Sequence, residues 1–83
     1  MIFNVGDKVK VKKLSKKEFE SVYKVITYNN YLILFTDYFD KQGTVNTIYL
    51  LDNNVQKIDI NFFETSLNNV YQFLSDDLIK IEI

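Results

Sequence analysis

The sequence predicts a small, mostly-β protein that forms a single domain over residues 1–83. A chain of 83 residues has room for one hydrophobic core but not for two. Short runs of β-branched and aromatic residues recur about every ten residues, and clusters of turn-forming residues separate them. A hydrophobic fraction of 47 % is typical of a globular protein rather than a disordered one.

The first element is a strand with a strict alternation of residue types. Over residues 7–12 the sequence reads DKVKVK, which places Val9 and Val11 on one face and the lysines on the other. Ser15 and Glu18 follow with the spacing of a capping box. We therefore expect a helical turn over residues 16–21.

The next two runs predict a hairpin. Residues 22–28 and 31–38 are rich in β-branched and aromatic side chains, as strands are. Asn29 and Asn30 lie between them, and asparagine tolerates the positive φ angles of a tight two-residue turn. Residues 39–43 are expected to form the loop that follows.

The second half of the chain predicts further short strands. They cover residues 44–51, 55–62, 70–74 and 78–83, and turns occupy residues 52–54 and 75–77. Residues 64–69 form either a helical turn or a loop. In an alternative interpretation, residues 63–74 form one amphipathic helix with Phe63, Leu67, Val70 and Leu74 on one side.

Both ends of the chain resemble SH3-like small barrels. Residues 5–11 read VGDKVKV and resemble the opening strand of these barrels, including the KOW-type domains. Residues 70–81 resemble their end, with residues 75–78 as a one-turn 3₁₀ element. The resemblance implies a small SH3-like β-barrel of five to seven antiparallel strands with one or two short helical turns. The chain lacks the glycines that KOW domains have after the first strand and the tryptophan of peptide-binding SH3 domains, so no ligand follows from it.

The composition argues against an enzyme. The chain has no histidine and no cysteine, which removes the usual nucleophilic triads and structural zinc sites. Only two glycines are present, so no phosphate-binding loop can be built. We expect a non-enzymatic protein without metal, cofactor or small-molecule substrate.

Location and origin are also constrained. The longest apolar run, residues 31–35, is far shorter than a membrane span, and the first residues lack the pattern of a secretory signal. We expect a cytoplasmic protein that does not enter a membrane. All ten basic residues are lysines, and the abundant residue types have A/T-rich codons, which favours a low-G+C bacterium, one of its phages or a mobile element.

The leading functional hypothesis is a protein-interaction module. The predicted strand over residues 31–35 is apolar on both faces, whereas an antiparallel strand needs only one buried face. Either another part of the chain covers the second face, or a partner protein or a second copy does. The predicted contact surface consists of Tyr28, Tyr31, Ile33, Tyr38 and Tyr49.

Two alternatives rest on charge. A lysine cluster near the N-terminus predicts weak nucleic-acid binding, unless it is simply a solvated strand face. It comprises Lys8, Lys10, Lys12, Lys16 and Lys17. In the other alternative, the chain is a small acidic inhibitor of a host defence nuclease. Its acidic surface would consist of Asp37, Asp40, Asp76 and Asp77.

Overall fold

A five-stranded antiparallel sheet and two short helices make up the fold. The computed structural model describes residues 2–50, 52–68 and 71–81. Three 3₁₀ turns connect elements, at Asp52–Asn54, Thr65–Leu67 and Ser75–Asp77. In chain order the strands and helices are β1 Lys8–Val11, α1 Lys16–Val22, α2 Tyr28–Phe35, β2 Gln42–Leu50, β3 Gln56–Phe62, β4 Phe73–Leu74 and β5 Leu78–Lys80.

The sheet has the strand order β4-β3-β2-β1-β5. β1 lies between β2 and β5, with Lys10 opposite both Gln42 and Ile79. The longest pairing joins β2 and β3, and its register shifts between Val45 and Thr47. One 3₁₀ turn, Ser75–Asp77, joins β4 directly to β5, so three residues connect the two edge strands of the sheet.

The alternation predicted for the first strand is confirmed. Val9 and Val11 are buried, Lys8 is exposed and Lys10 is half-buried. β3 repeats the pattern from Gln56 to Phe62, with every second residue buried. One face of the sheet therefore contributes the core, and the other face is open to solvent.

The predicted capping box forms and starts α1. The Ser15 side chain accepts a hydrogen bond from the Glu18 backbone N–H, and the Glu18 carboxylate accepts one from the Ser15 backbone N–H. Both bonds satisfy N–H groups that a helix start otherwise leaves without partners. α1 buries Phe19 against the core.

The predicted hairpin over residues 22–38 is wrong, because this segment contains the helix α2. Thr27 caps it by accepting a hydrogen bond from the Asn30 backbone N–H at 3.2 Å. Tyr28, Tyr31 and Phe35 recur at helical spacing and point inward. Asn29 and Asn30 thus lie in the first helical turn, and tertiary packing of the rings overrides the strand preference of the residue types.

The described residues after β3, 63–68 and 71–74, form no long helix. Among them Thr65–Leu67 is a 3₁₀ turn and Phe73–Leu74 is a strand, so the alternative helix over residues 63–74 is wrong. The predicted 3₁₀ element after β4 is confirmed at Ser75–Asp77. Residues 51, 69–70 and 82–83, which belong to three predicted strands and one turn, lie outside the described residues.

Candidate nucleic-acid interface

Most of the predicted tyrosine surface lies in the core. Tyr31 is 0 % exposed and Tyr38 is 4 % exposed. Tyr28 is half-buried, and its hydroxyl donates to the Leu14 carbonyl oxygen at 2.8 Å. The expectation that these three rings are available to a partner is therefore corrected. The reason is α2, which directs Tyr28 and Tyr31 toward the core, and the turn after it, in which Tyr38 is buried.

The other two residues of that predicted surface are exposed but separate. Ile33 lies on the outward side of α2 and is 70 % exposed. Tyr49 is opposite Lys57 and lies on the open face of the sheet. Since α2 packs on the inner face, the structure does not bring Ile33 and Tyr49 together.

The open face of the sheet, called the outer face below, carries lysines from two strands. Lys8 and Lys10 come from β1, and Lys57 comes from β3. Their cross-strand neighbours include polar, aromatic and aliphatic side chains, and side chains paired in this way point to the same face. These neighbours are Thr44 opposite Lys8, Gln42 and Ile79 opposite Lys10, and Tyr49 opposite Lys57.

An exposed aromatic ring lies beside Lys8 on this face. Phe63 follows β3 directly and is 66 % exposed. Its backbone N–H donates to the Gln42 carbonyl oxygen at 3.2 Å, which holds the residue next to the start of β2. The Lys8 Nζ lies 5.8 Å from the centroid of the Phe63 ring, within the range of a cation–π contact.

Lys8 is held in place by a second contact. Its Nζ donates to the Thr44 Oγ1 at 2.9 Å, across the β1–β2 pairing. The Lys8 ammonium group thus lies between a hydroxyl and an aromatic face while remaining exposed. The ammonium group therefore lies over one face of the exposed Phe63 ring.

One acid lies among these side chains. Asp59 is opposite Thr47 on β2, and its Oδ2 accepts a hydrogen bond from the Tyr49 hydroxyl at 3.3 Å. The negative charge of Asp59 raises the pKa of the Tyr49 hydroxyl. Along β3 the acid therefore lies between Lys57 and the Lys8–Phe63 end of the outer face.

The predicted lysine cluster is divided by the fold. Lys8 and Lys10 lie on the outer face, whereas Lys16 and Lys17 lie on α1. Lys12 pairs with Glu18 of α1 at 3.3 Å; the hydrogen bonds between Glu18 and Ser15, and then this pairing, lower the Glu18 pKa. Sequence reasoning missed Phe63 and Lys57 as members of this face.

The predicted acidic surface is divided as well. Asp37 and Asp40 are exposed after α2, and Asp76 is exposed in the turn before β5. Asp77 is only 1 % exposed, so its inclusion in an exposed acidic surface is corrected. Its position in the 3₁₀ turn directs the carboxylate toward Tyr23 instead of solvent.

Neither a metal-ligand cluster nor a membrane-spanning helix occurs among the described residues. Within residues 2–50, 52–68 and 71–81, no group of three or more metal-ligating side chains occurs. None of the helices in these ranges has the length and apolar character needed to cross a membrane. Comparison with protein-family models, with curated proteins and with solved structures finds no match for this chain.

Proposed function

We propose that this chain is a non-enzymatic binding module that contacts single-stranded nucleic acid with the outer face of its sheet. The observation that carries the proposal is the exposed Phe63 ring with the Lys8 ammonium group 5.8 Å from its centroid. A ring and a cation in this arrangement match the two chemical features of a nucleotide, a flat base and a phosphate.

The ring accounts for the preference for single strands. A base can stack on Phe63 only if it is unpaired, and stacking on an aromatic side chain stabilises binding by about 1–3 kcal/mol per base. We therefore expect an oligonucleotide without secondary structure to bind more tightly than a duplex.

The lysines account for the phosphate contacts. Lys8 and Lys10 project from β1 near Phe63 and supply the cations beside the ring, whereas Lys57 lies at the other end of β3, beyond Asp59. Thr44 and Gln42 add hydrogen-bonding groups between them. Because the chain contains no arginine and has a net charge of −1, the interaction should be weak and strongly dependent on salt.

The proposed fold type agrees with this use of the sheet. We assign the chain to SH3-like small barrels. In a flat five-stranded sheet the edge strands lie roughly 19 Å apart, but the chain from Leu74 to Leu78 spans at most roughly 14 Å. The short turn between β4 and β5 thus supports a strongly curled sheet.

The composition supports a binding role over catalysis, because the chain has no histidine and no cysteine.

The experiment is fluorescence anisotropy with a labelled oligothymidylate of about 12 nucleotides, titrated at several salt concentrations. Phe63→Ala should weaken binding roughly fivefold to a hundredfold, because one stacked base is lost. The double variant Lys8→Gln, Lys10→Gln should reduce the slope of log affinity against log salt by up to about 1.4, since each phosphate contact contributes about 0.7.

A matched control uses lysines outside the outer face. The double variant Lys16→Gln, Lys17→Gln removes the same charge from α1 and should leave the affinity within about twofold, because non-contacting charges act only at long range. Absence of binding by the wild-type protein at about 50 mM salt would rule out the proposal. Equal weakening by the two lysine pairs would also contradict it.

A further inference from the structure

A buried carboxylate joins three separate segments of the fold. Asp77 lies in the turn between β4 and β5 and is 1 % exposed. Its Oδ2 accepts hydrogen bonds from the Tyr23 hydroxyl at 2.5 Å and from the Leu74 backbone N–H at 3.3 Å. Its Oδ1 has no hydrogen-bond partner among the described residues, which is uncommon for a buried polar atom.

The partners of Asp77 lie at structural junctions. Tyr23 is the C-cap residue of α1, and its backbone N–H donates to the Phe19 carbonyl oxygen. On the other side, the Lys12 backbone N–H donates to the Asp77 carbonyl oxygen at 2.8 Å. Asp77 thus connects the end of α1, the end of β4 and the segment that follows β1.

We propose that Asp77 acts as a protonation-controlled latch, which holds the end of α1 against the β4–β5 turn when neutral and releases it more readily when ionised. The geometric basis is the burial of the carboxyl group together with the unpartnered Oδ1. An ionised carboxylate needs several strong donors to compensate for lost hydration, whereas a neutral carboxyl needs fewer. The latch uses none of the outer-face residues, so its test is independent of nucleic-acid binding.

Burial is the main influence on the protonation of Asp77. It raises the pKa of this carboxyl to about 6, and the nearby carboxylate of Asp76 acts in the same direction. The Tyr23 hydroxyl, the Leu74 N–H and the Lys12 ammonium group lower the pKa of Asp77 but do not outweigh burial.

The two tyrosines near the latch keep their charge state between about pH 4 and 7. Tyr23 stays neutral because burial and Asp77 raise its pKa. Tyr31 stays neutral because burial raises its pKa to about 12. The pKa of Glu18 is lowered by its hydrogen bonds to Ser15 and by Lys12. Asp77 is the buried carboxyl group at this junction whose raised pKa falls between those pH values.

The direction of the effect follows from linkage. The pKa of Asp77 is about 6 in the folded protein, above the ordinary value of 3.8 that it takes when the junction opens to solvent. The closed latch is therefore fully stabilised below pH 3.8, and this stabilisation is lost as pH rises through about 6. The opening equilibrium should increase about a hundredfold across that range.

Amide hydrogen exchange of the α1 residues, corrected for the intrinsic pH dependence of exchange, measures this opening. Between about pH 4 and 7 the wild-type protein should lose protection at α1 by up to about a hundredfold. Asp77→Asn should show no such dependence, because an amide does not titrate. Asp76→Asn, which changes the exposed neighbour in the same turn, should retain most of it.

A second measurement covers the case in which Asp77→Asn does not fold. The carbon-13 shift of the Asp77 carboxyl in the wild-type protein should titrate with a midpoint near 6. A midpoint below about 4.5 would overturn the proposal, since the carboxyl would then behave as a solvated group. Protection at α1 that is independent of pH in the wild-type protein would overturn it too.

Discussion

At the scale of single residues, Gly43 shows how little room the centre of the sheet leaves. Gly43 lies in β2 between Val9 of β1 and Phe62 of β3. A Cβ atom at this position would lie 2.5 Å from the Asn61 carbonyl oxygen and 2.6 Å from the Ile60 Cγ2. One of these contacts is with the backbone of a paired strand, which cannot move without breaking the pairing. We therefore expect Gly43→Ala to lower the free energy of unfolding by about 1–3 kcal/mol, as overpacking in a core does.

Gly6 provides the comparison for that prediction. A Cβ at Gly6 would have no neighbour within 4 Å, but its φ angle of +95° is unfavourable for other residues. Gly6→Ala should therefore destabilise through backbone strain alone, by about 1 kcal/mol. Urea unfolding of both variants measures the difference. If Gly43→Ala unfolds at the same urea concentration as the wild type, the close strand approach at β2–β3 is contradicted.

At the scale of elements, α1 depends on its capping box. This helix is only seven residues long, and isolated helices of that length are unstable in water. Ser15→Ala removes the hydroxyl that accepts from the Glu18 backbone N–H at 3.2 Å. We expect a loss of about 1 kcal/mol in the free energy of unfolding.

Ser21 offers the matched control within the same helix. Its hydroxyl donates to the Glu18 carbonyl oxygen and is exposed, but it caps no helix start. Ser21→Ala should therefore change the unfolding free energy by less than about 0.5 kcal/mol. Thermal unfolding followed by circular dichroism compares the two variants. Equal destabilisation would show that the capping box does not stabilise α1.

The two helices also explain which parts of the fold follow from the sequence. α1 could be predicted because its start is set by a local signal, the spacing of Ser15 and Glu18. α2 could not, because three of its eight residues are aromatic and one is β-branched, types that favour strands, and the helix forms where Tyr31 and Phe35 pack in the core. Strands with clean alternation, such as β1, were predicted with their faces.

The candidate site could likewise be predicted only in part. Alternation alone places Lys8 and Lys10 on the outer face. Phe63 could not be assigned, because two consecutive rings at a strand end give no indication of which one turns outward. The burial of Phe62 and the exposure of Phe63 depend on pairing with β2, and that pairing is a tertiary feature.

At the scale of the whole molecule, aromatic rings join the helices to the sheet. Tyr31 has ring centroids of both helices within 6 Å, including Phe19 at 5.1 Å and Phe35 at 5.3 Å. Phe35 in turn lies 5.6 Å from Phe73 of β4. The chain has no cysteine and hence no disulfide, so this ring network provides much of the packing that holds a domain of this size together.

The hydroxyl groups of Tyr28 and Tyr31 form hydrogen bonds inside the fold. The Leu14 backbone N–H donates to the Tyr31 hydroxyl oxygen at 2.9 Å, and the Tyr28 hydroxyl donates to the Leu14 carbonyl oxygen. Tyr31 is thereby bonded to the segment between β1 and α1. Ionising Tyr31 would place a phenolate in the centre of the core, where hydration is lost.

We therefore expect unfolding in alkali to be coupled to tyrosine ionisation. Burial raises the pKa of Tyr31 to about 12 and also raises that of Tyr38, above the ordinary value of 10.0. The stability that these neutral phenols provide is complete below pH 10 and is lost as pH rises toward 12. Part of the phenolate absorbance should consequently appear in the same cooperative transition as the loss of circular dichroism.

Tyr49→Phe, which removes an exposed phenol, should reduce the absorbance change without moving that transition. If all six tyrosines ionise near pH 10 while circular dichroism is unchanged, the rings of α2 are not sealed from water and the packing of α2 against the sheet is contradicted.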